Sequence, residues 1–374
     1  MARQNRTRRI LRIVEKIIIA TDSFKGSLTS LEVAEAVCAA IRSTQPKVAT
    51  KVLAISDGGE GFAETVTKAK GGKWIETDGH DALMRTIRTH YGVIDGKWGV
   101  MDVASTIGLT RLAPNERNPQ MTSSYGVGEM IRQLISKGIN HLIIGLGGSS
   151  TNDCGRGLLE ALKGTPHLDN CEFIIASDVS APLCGPTGAT YMFARQKGAT
   201  EDMLPQLEAR NLAFGKELEN TTGTAIINLP GAGAAGGIGA ALMTMKHHRM
   251  VQGIDWLLDL YDFKTHLADA SLVITGEGKI DSQTLQGKAP YGIALKAKEL
   301  GIPCFAICGQ ISKELKMSVN NEAHESVPEV INGMFPWDKI IQVSPPDLSL
   351  AEAMRPEVAK KNIETTLSAL FQQI

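Results

Sequence analysis

The sequence predicts an α/β fold built as two domains, one discontinuous and Rossmann-like with a doubly wound parallel sheet, the other an inserted mixed α/β domain. Three observations lead to this prediction. Short β-branched runs repeatedly end in polar or glycine-rich loops that precede helical patterns, which is typical of a parallel sheet covered by helices. Between Trp74 and Val103 the pattern changes to alternating runs such as TIRTHYGVI, which indicate antiparallel strands. The 374 residues also exceed the length of one average domain.

The Rossmann-like domain begins with a strand, a helix, a second strand and a second helix. KIIIA (16–20) is the first strand, and the helical pattern that follows it starts with a capping box formed by Thr29 and Glu32. VATKVLAI (48–55) is the second strand, and GGEGFAETVTKAKGG is a helix that begins with glycines. This order implies parallel strands, and ligands of such sheets bind at the carboxyl ends of the strands.

Further runs also read as strands that end in polar or glycine-rich loops, and the last two of them return the chain to the first sheet. These runs are HLIIGLGGSS (141–150), EFIIASDVS (172–180), AIINLPGAG (225–233), SLVITGEGK (271–279) and PCFAICGQI (303–311). We therefore predict a basic N-terminal tail over residues 1–15, a Rossmann-like domain formed by 16–73 with 271–374, and an inserted domain over 74–270.

Composition and charge exclude several classes of protein. The formal net charge is −1 with interspersed charges, so no nucleic acid is expected as a partner. No apolar run approaches the roughly 20 residues of a membrane span, and the arginines of the first 15 residues precede no signal-peptide apolar region, so we interpret them as a solvated tail. The six cysteines mostly lie in separate segments, and we expect a cytoplasmic protein with reduced thiols.

A glycine pattern leaves an oxidoreductase as an alternative. PGAGAAGGIGAAL contains G-x-G-x-x-G at Gly231, Gly233 and Gly236, which is the dinucleotide-binding pattern, and Asp255 follows about 20 residues later. However, GIDWLLDLYDF around Asp255 has the helical period, whereas the acidic residue should end a strand. Close packing of a helix against a neighbour through small residues explains the glycines equally well.

The loop GLGGSSTNDCGRG (145–157) is the more specific candidate for a ligand site. Its glycines expose backbone N–H groups and its side chains add hydroxyl and amide donors, a combination that can cradle phosphates. The candidate phosphate-binding residues are Gly147, Gly148, Ser149, Ser150, Thr151, Asn152 and Asp153. Asp153 also suits magnesium, and the missing lysine excludes an ordinary P-loop.

Polar side chains follow other predicted strands at their carboxyl ends, where an α/β protein binds its ligands. The residues are Asp22, Ser23 and Lys25 after the first strand, Asp57 and Glu60 after the second, Asp178 after EFIIA, and Glu277, Asp281 and Lys288 late in the chain. Lysines there suit a carboxylate or phosphate, and Asp178 suits a hydroxyl proton or a metal. The histidines lack ligand spacing, which disfavours a histidine metal site or a Ser-His-Asp hydrolase.

Eight ordered motifs resemble the bacterial type of glycerate kinase, over roughly residues 16–372. They read DSFKGSL (22–28), SDGGEG (56–61), SYGVGE (124–129), GLGGSSTNDCG (145–155), DVSAPLCG (178–185), FARQKGA (193–199), PGAGAAGG (230–237) and TGEGKIDSQTLQGKAP (275–290). The resemblance implies two α/β domains that hold ATP and D-glycerate in a cleft, with Mg²⁺ as cofactor and 2-phosphoglycerate as product. Phosphoryl transfer of this kind requires mainly positioning and charge neutralisation.

The resemblance extends to candidate roles for individual residues. The expected catalytic residues are Lys25, Asp178 and Asp281; the expected substrate-binding residues are Asp22, Ser23, Lys25, Asp57, Glu60 and Lys197; Glu277 and Lys288 join the loop 147–153 at ATP; and Asp153 and Asp281 are the expected magnesium ligands. Asp178 would orient or deprotonate the attacking hydroxyl, and Lys288 would stabilise charge on the leaving oxygen.

The chain departs from the family pattern at a few positions and leaves several questions open. Ser180 and Ala181 replace an Asp-Asn pair, Ala194 and Arg195 replace Gly-Pro, and Cys154 replaces a glycine. These changes put fine specificity in question, so the 3-hydroxyl of glycerate or a related hydroxy acid remains an alternative acceptor. A nucleotide-binding protein without activity is a further alternative, and a homodimer is one possible assembly.

Overall fold

The computed structural model describes residues 15–56, 58–59, 61–282, 284–318, 330–332 and 336–372. The candidate residues Asp57 and Glu60, and the predicted basic tail up to residue 14, lie outside the described residues. Within the described part of the chain, no helix combines the length and the apolar character that crossing a membrane requires.

Strands and helices alternate along most of the chain. The strands are β1 Lys16–Thr21, β2 Ala49–Val52, β3 Lys73–His80, β4 Thr86–Ile94, β5 Trp98–Asp102, β6 His141–Gly145, β7 Glu172–Ala176, β8 His247–Val251, β9 Leu272–Ile280, β10 Cys304–Ile311, β11 Val330–Asn332 and β12 Lys339–Gln342. The helices are α1 Ser30–Thr44, α2 Phe62–Ala69, α3 Ala104–Ile107, α4 Tyr125–Ser136, α5 Arg156–Leu162, α6 Ala189–Phe193, α7 Leu204–Thr222, α8 Ala234–Leu242, α9 Gly253–Leu260, α10 Phe263–Leu267, α11 Ala289–Glu299, α12 Lys313–Ser318, α13 Leu350–Ala353 and α14 Pro356–Gln372.

The chain forms two compact units, and it passes from one to the other after Ser56 and after Trp256. The first unit is discontinuous, because it combines the segment up to Ser56 with the segment from Leu257 onward. The second unit lies between these two points in the sequence. The predicted α/β class, with one discontinuous domain and one inserted domain, is confirmed.

The first unit contains a doubly wound sheet with the strand order β11-β12-β10-β9-β1-β2. All neighbours are parallel except β11 and β12. From β1 the chain runs outward to β2, whereas from β9 it runs the other way through β10 to β12, so the direction of winding reverses between β1 and β9. Ligands of open α/β sheets bind at such a switch point, outside the carboxyl ends of the two strands.

Helices cover this sheet on both faces. On one face α1 and α14 pack over Ile17, Ile19, Ile274 and Ile307 and form a core of buried side chains. On the other face α11 contacts β1, β9 and β10. The first helix begins at the predicted capping box, in which Thr29 Oγ1 accepts from the backbone N–H of Glu32 at 3.3 Å.

The second unit contains a mixed sheet in which every strand neighbours the next one in sequence, from β3 to β8. The pairs β3–β4 and β4–β5 are antiparallel, as the alternating pattern predicted, and the strands from β5 to β8 are parallel. Helices α4, α5 and α8 bury their apolar side chains against β6 and β7 in the main core of this unit. A smaller core lies between α7, α8 and the segments around Leu183 and Ile226.

The divisions between the units differ from the predicted ones at 73/74 and 270/271. Helix α2, which the sequence pattern assigned to the first sheet, contacts β3, β4, β5 and β6 of the second unit. A close approach explains this placement: a Cβ added to Gly92 of β4 would lie 2.8 Å from Cβ of Thr67 on α2. Sequence order alone does not reveal such a contact, because βαβα patterns continue from one unit into the next.

The strand predicted at AIINL (225–229) is wrong, because these residues form irregular backbone and a turn after α7. Ile226 and Ile227 are apolar since they fill the smaller core, and their backbone N–H groups donate to Oε1 of Glu219 at 2.8 and 2.9 Å. The Glu219 side chain therefore satisfies two backbone N–H groups that would bond to a neighbouring strand if these residues were in a sheet. The G-x-G-x-x-G pattern thus follows no strand, which removes the context that a dinucleotide site requires.

Candidate functional site

The glycine-rich loop of the second unit connects β6 to α5 in a tight path. It begins after Gly145 and ends before Arg156. Three of its residues have left-handed backbone, with φ of 77° at Gly148, 56° at Cys154 and 68° at Gly155. Glycine adopts this conformation without strain, whereas Cys154 does so at a cost in backbone energy.

Glycines allow this loop to lie directly against the loop at 58–59. The N–H of Gly147 donates to the carbonyl of Gly58 at 2.8 Å. A Cβ added to Gly147 would lie 2.4 Å from Cα of Gly59, and one added to Gly145 would lie 2.6 Å from the Gly58 oxygen. No side chain larger than hydrogen fits at either position without displacement. The glycines of the SDGGEG and GLGGSS motifs are therefore neighbours in the second unit.

The buried side chain of Lys197 hydrogen-bonds to two residues of the glycine-rich loop. The side chain is 3% exposed, and its Nζ donates to Ser149 Oγ at 2.9 Å and to the Thr151 carbonyl at 2.7 Å. Burial lowers the pKa of the Lys197 ammonium to about 7, although the Asp153 carboxylate favours the charged form. Lys197 was predicted to bind substrate, but two of the three N–H donors of its ammonium are used in hydrogen bonds to the loop itself.

The next three loop residues, Ser150, Thr151 and Asn152, are fully buried, and the side chains of two of them bind other segments. Ser150 Oγ donates to the Ile107 carbonyl at 2.7 Å. Asn152 Nδ2 donates to Thr190 Oγ1 at 3.2 Å. Within the described residues, Oγ1 of Thr151 and Oδ1 of Asn152 make no hydrogen bond. These two buried atoms can serve a bound ligand or water, since buried polar groups rarely remain unsatisfied.

Asp153 organises the beginning of α5. Its Oδ2 accepts from Ser124 N at 2.9 Å, Ser124 Oγ at 2.7 Å and Gly157 N at 3.2 Å, and its Oδ1 accepts from Gly155 N at 3.1 Å. A carboxylate at a helix N-terminus is stabilised both by such donors and by the helix dipole. Four donors occupy much of the carboxylate, so its predicted place at magnesium stays a prediction that this geometry does not favour.

Asp178 lies where the sequence predicted it, just beyond the carboxyl end of β7. Its Oδ1 accepts from the N–H of Gly253, the first residue of α9, at 2.8 Å. The side chain is half-buried. The hydrogen bond fixes one carboxylate oxygen at the same sheet edge from which the loop after β6 departs.

The first unit presents a second set of candidates at the switch point between β1 and β9. Asp22 is buried, its N–H donates to the Gly276 carbonyl at 2.8 Å, and its Oδ1 accepts from Ser23 N at 2.7 Å. The side chain of Lys25 is exposed. Its backbone lies next to Gly278, because a Cβ added to Gly278 would lie 3.4 Å from the Lys25 nitrogen. The DSFK and TGEG segments are thus brought together, as the parallel pairing of β1 and β9 requires.

Glu277 is the centre of this set. It lies inside β9, which extends to Ile280, rather than in a loop after the strand as predicted. The carboxylate is buried, with Oε1 accepting from Thr284 Oγ1 at 2.6 Å and Oε2 lying 3.3 Å from Lys288 Nζ. Burial raises the pKa of Glu277, and the Lys288 and Lys25 charges oppose that rise. Asp281 lies 4.0 Å from Lys288 Nζ, so the ammonium is shared between two carboxylates.

Comparison with known proteins decides the family. A protein-family model described as the glycerate kinase family matches residues 17–169 and 163–355. The chain belongs to the glycerate kinase family. The resemblance drawn from the motifs is therefore confirmed, and membership makes the chain a kinase.

Named relatives match this glycerate kinase family member over most of its length. A Bacillus subtilis (strain 168) protein named glycerate kinase is 37% identical over an alignment of 352 residues, and the match covers 86% of this chain and 92% of that protein. An Escherichia coli (strain K12) protein named glycerate 2-kinase is 34% identical over an alignment of 353 residues, and the match covers 87% of this chain and 92% of that protein. A crystal structure described as "putative glycerate kinase 2 from Salmonella typhimurium LT2" has a TM-score of 0.76 at 31% identity and covers 96% of this chain and 98% of that one.

The departures of this chain from the family pattern lie mostly away from the loop contacts. Arg195 is exposed, forms a two-point ion pair with Glu201 at 2.7 and 3.0 Å and donates to the Tyr191 carbonyl. Ser180 is exposed, and the Ala181 carbonyl accepts from Gly233 N at 3.0 Å. Cys154 is the departure that lies inside the glycine-rich loop.

Sequence reasoning missed two hydroxyl groups of this kinase that hold the predicted carboxylates. Ser124 binds Asp153 and also accepts from the N–H of Leu158 at 3.0 Å. Thr284 binds Glu277. Ser124 and Thr284 both lie inside motifs that had been noted, SYGVGE and TGEGKIDSQT. Those motifs were the feature of the sequence that could have pointed to the two hydroxyl groups. A role could not be assigned because the partner of Ser124 lies 29 residues away in the chain.

No ready-made metal centre is present in the part of the chain that the structure describes. No three His, Cys, Asp or Glu side chains converge there as metal ligands. Magnesium in kinases is usually held by one or two carboxylates together with substrate phosphates and waters, so this finding is compatible with a magnesium nucleotide. The magnesium roles expected for Asp153 and Asp281 therefore stay predictions.

Proposed function

We propose that this member of the glycerate kinase family transfers the γ-phosphoryl group of ATP to the 2-hydroxyl of D-glycerate. The observation that carries the proposal is the glycine-rich loop after β6, which a buried lysine and the 58–59 loop hold rigidly at the carboxyl end of a parallel strand. Rigid backbone N–H groups at this position suit phosphate oxygens. The name of the Escherichia coli relative, glycerate 2-kinase, supports the 2-position.

The acceptor hydroxyl requires a group that takes its proton. In the proposed reaction the hydroxyl oxygen attacks the γ-phosphorus, the bond from phosphorus to the β,γ-bridging oxygen breaks, and ADP leaves with that electron pair. Asp178 is the proposed proton acceptor, because its carboxylate lies at a strand end and is oriented by the Gly253 N–H. Lys25 is proposed to bind the glycerate carboxylate, because it is an exposed cation at the switch point of the first sheet.

Negative charge builds up on the phosphates as the bridging bond breaks. Lys288 is proposed to stabilise this charge, although it is held by Glu277 at 3.3 Å and lies 4.0 Å from Asp281. Asp281 would hold Mg²⁺ together with nucleotide phosphates and waters, and the ion would supply charge neutralisation when bound. Asp22 and Ser23 are proposed to bind the hydroxyls of glycerate, as are Asp57 and Glu60.

A coupled assay tests the proposal. Purified protein is supplied with D-glycerate, ATP and Mg²⁺, ADP release is followed, and enolase is added to consume any 2-phosphoglycerate. We expect glycerate-dependent ADP release and direct consumption by enolase. If phosphoglycerate mutase is needed first, the 3-hydroxyl is the acceptor; if ADP forms only with another hydroxy acid, the proposed substrate is wrong.

The role of Asp178 is tested by Asp178→Asn. The amide preserves shape but cannot accept a proton, so kcat should fall by about 10²-fold or more while the KM for ATP changes little. Asp255→Asn, at an exposed position of helix α9, is the matched control. Unchanged turnover in Asp178→Asn would remove Asp178 from the mechanism.

A further inference from the structure

The contact between Lys197 and Ser149 restricts where the serine proton can point. In its protonated form the Lys197 amine has three N–H donors and no acceptor, so Ser149 Oγ then accepts at the 2.9 Å contact. The hydroxyl proton of Ser149 is therefore directed away from Lys197. Within the described residues Ser149 Oγ donates no hydrogen bond, and the side chain is 6% exposed.

The neighbouring hydroxyls of the loop are arranged differently. The proton of Ser150 is already used, because its Oγ donates to the Ile107 carbonyl at 2.7 Å. Thr151 Oγ1 belongs to a side chain with no measurable exposure, although the Thr151 carbonyl is held by Lys197 at 2.7 Å. Ser149 is thus the loop serine whose O–H proton makes no hydrogen bond within the described residues, and its side chain is buried but not completely sealed, at 6% exposure.

We propose that Lys197 is a positioning residue that turns the Ser149 hydroxyl into an outward-facing donor for a phosphate oxygen of the bound nucleotide. The inference deepens the proposed function and rests on it for the identity of the ligand. It also moves Lys197 from the predicted contact with substrate to a position behind the loop. The second Lys197 contact, to the Thr151 carbonyl, fixes the backbone on the other side of Ser150 and so holds the loop at two points.

A double-mutant cycle tests whether Lys197 acts through Ser149. Ser149→Ala removes the donor, Lys197→Met removes the ammonium with little change in size, and the third protein carries both changes. A hydrogen bond to a charged group is worth roughly tenfold or more in affinity. We expect each single variant to raise the KM for ATP about tenfold, and the double variant to resemble Ser149→Ala rather than to reach about a hundredfold.

Several results would overturn the inference. Independent single effects that multiply in the double variant would show that Lys197 does not act through Ser149. A change in the KM for D-glycerate with an unchanged KM for ATP would assign the hydroxyl to the wrong ligand. Ser149→Thr keeps a hydroxyl and should retain most of the affinity for ATP, so a loss as large as that of Ser149→Ala would also contradict the inference.

Controls separate this test from folding and from the proposed function. Ser136→Ala on α4 and Lys163→Met after α5 make the same chemical changes at exposed positions of the same unit and should leave the kinetics unchanged. If Lys197→Met does not fold, the comparison of Ser149→Ala with Ser149→Thr still tests the donor, and Lys197→Gln completes the cycle. Calorimetric binding of ADP to the same proteins tests the inference even if wild-type protein fails to phosphorylate glycerate.

Discussion

Thr284 donates its hydroxyl to Oε1 of Glu277 at 2.6 Å, while Lys288 approaches the other carboxylate oxygen at 3.3 Å. The two contacts let a buried carboxylate exist inside a β-strand. Burial alone raises the pKa of Glu277, and the Lys288 charge is the largest opposing influence. Removal of either partner would therefore expose the energetic penalty of the buried charge.

Lys288→Met should lower the free energy of unfolding at neutral pH by about 1 to 2 kcal/mol, because it leaves Glu277 buried without its cation. The estimate is at the low end for a buried pair since Lys288 is 28% exposed. The measurement is chemical denaturation of the ligand-free protein. Adding Glu277→Gln to Lys288→Met should recover most of the loss, because no buried charge then remains; a double variant less stable than Lys288→Met would contradict this explanation.

Lys197 should make stability depend on pH. Its pKa is about 7 in the folded protein and 10.5 ordinarily, so between these values the unfolded chain binds more protons. The free energy of unfolding should therefore rise with pH in this window, by up to about 1.4 kcal/mol per pH unit. The measurement is chemical denaturation of wild type and Lys197→Met at several pH values between about 7 and about 8.5. The upper limit keeps the experiment below the ordinary thiol pKa of 9.0. The free energy of unfolding should rise less steeply with pH in the variant than in wild type. Equal slopes would show that Lys197 keeps its ordinary pKa.

Cys154 should be strained by its backbone conformation. Its φ of 56° suits glycine, so Cys154→Gly should be more stable than Cys154→Ala by about 0.5 to 1 kcal/mol, although both lack the sulfur. Cys154→Val, branched at Cβ, should be the least stable of the three. Ala213→Gly, at an exposed position inside α7, should instead destabilise by about 1 kcal/mol. Thermal unfolding of the four variants checks the order, and a more stable alanine at position 154 would contradict it.

Thr275 should carry a hydroxyl that lowers stability. The residue is fully buried in β9 between Ala20 and Ala306, and within the described residues its Oγ1 has no hydrogen-bond partner. Thr275→Val keeps the shape and should raise the free energy of unfolding by about 1 kcal/mol. Thr67→Val should lower it by a similar amount, because Thr67 Oγ1 donates to the Ala63 carbonyl at 2.6 Å. A loss of stability in Thr275→Val would indicate a partner such as a buried water.

Much of the fold could be read from the sequence because local signals agree with the structure. The apolar run at 16–20, the capping box of Thr29 and Glu32, and the alternating pattern of TIRTHYGVI each correspond to the observed strand, helix start and antiparallel strand. Polar residues placed after strands were also informative, since parallel pairing brings the ends of β1 and β9 together. Periodicity and cap chemistry act over a few residues and need no tertiary information.

The remainder could not be predicted because it depends on contacts between distant segments. Ile226 and Ile227 look like part of a strand, but Glu219 satisfies their backbone donors and a core takes their side chains. Lys197 looks like a substrate cation, but it is buried beneath a loop more than forty residues earlier. In both cases a side chain makes hydrogen bonds that backbone groups or water would normally make. A local sequence pattern does not indicate such a bond, because its partner lies far away in the chain.

The direct contact between the glycines at 58–59 and those at 145 and 147 also has a consequence for protein engineering. A Cβ added to Gly147 would meet Cα of Gly59, and one added to Gly145 would meet the Gly58 carbonyl and the Phe62 ring, so a substituent at either position would also displace the segment at 58–62. The two segments therefore depend on each other for their shape. A graft of the GLGGSS segment onto another scaffold would lose its shape unless the SDGGEG segment were carried with it.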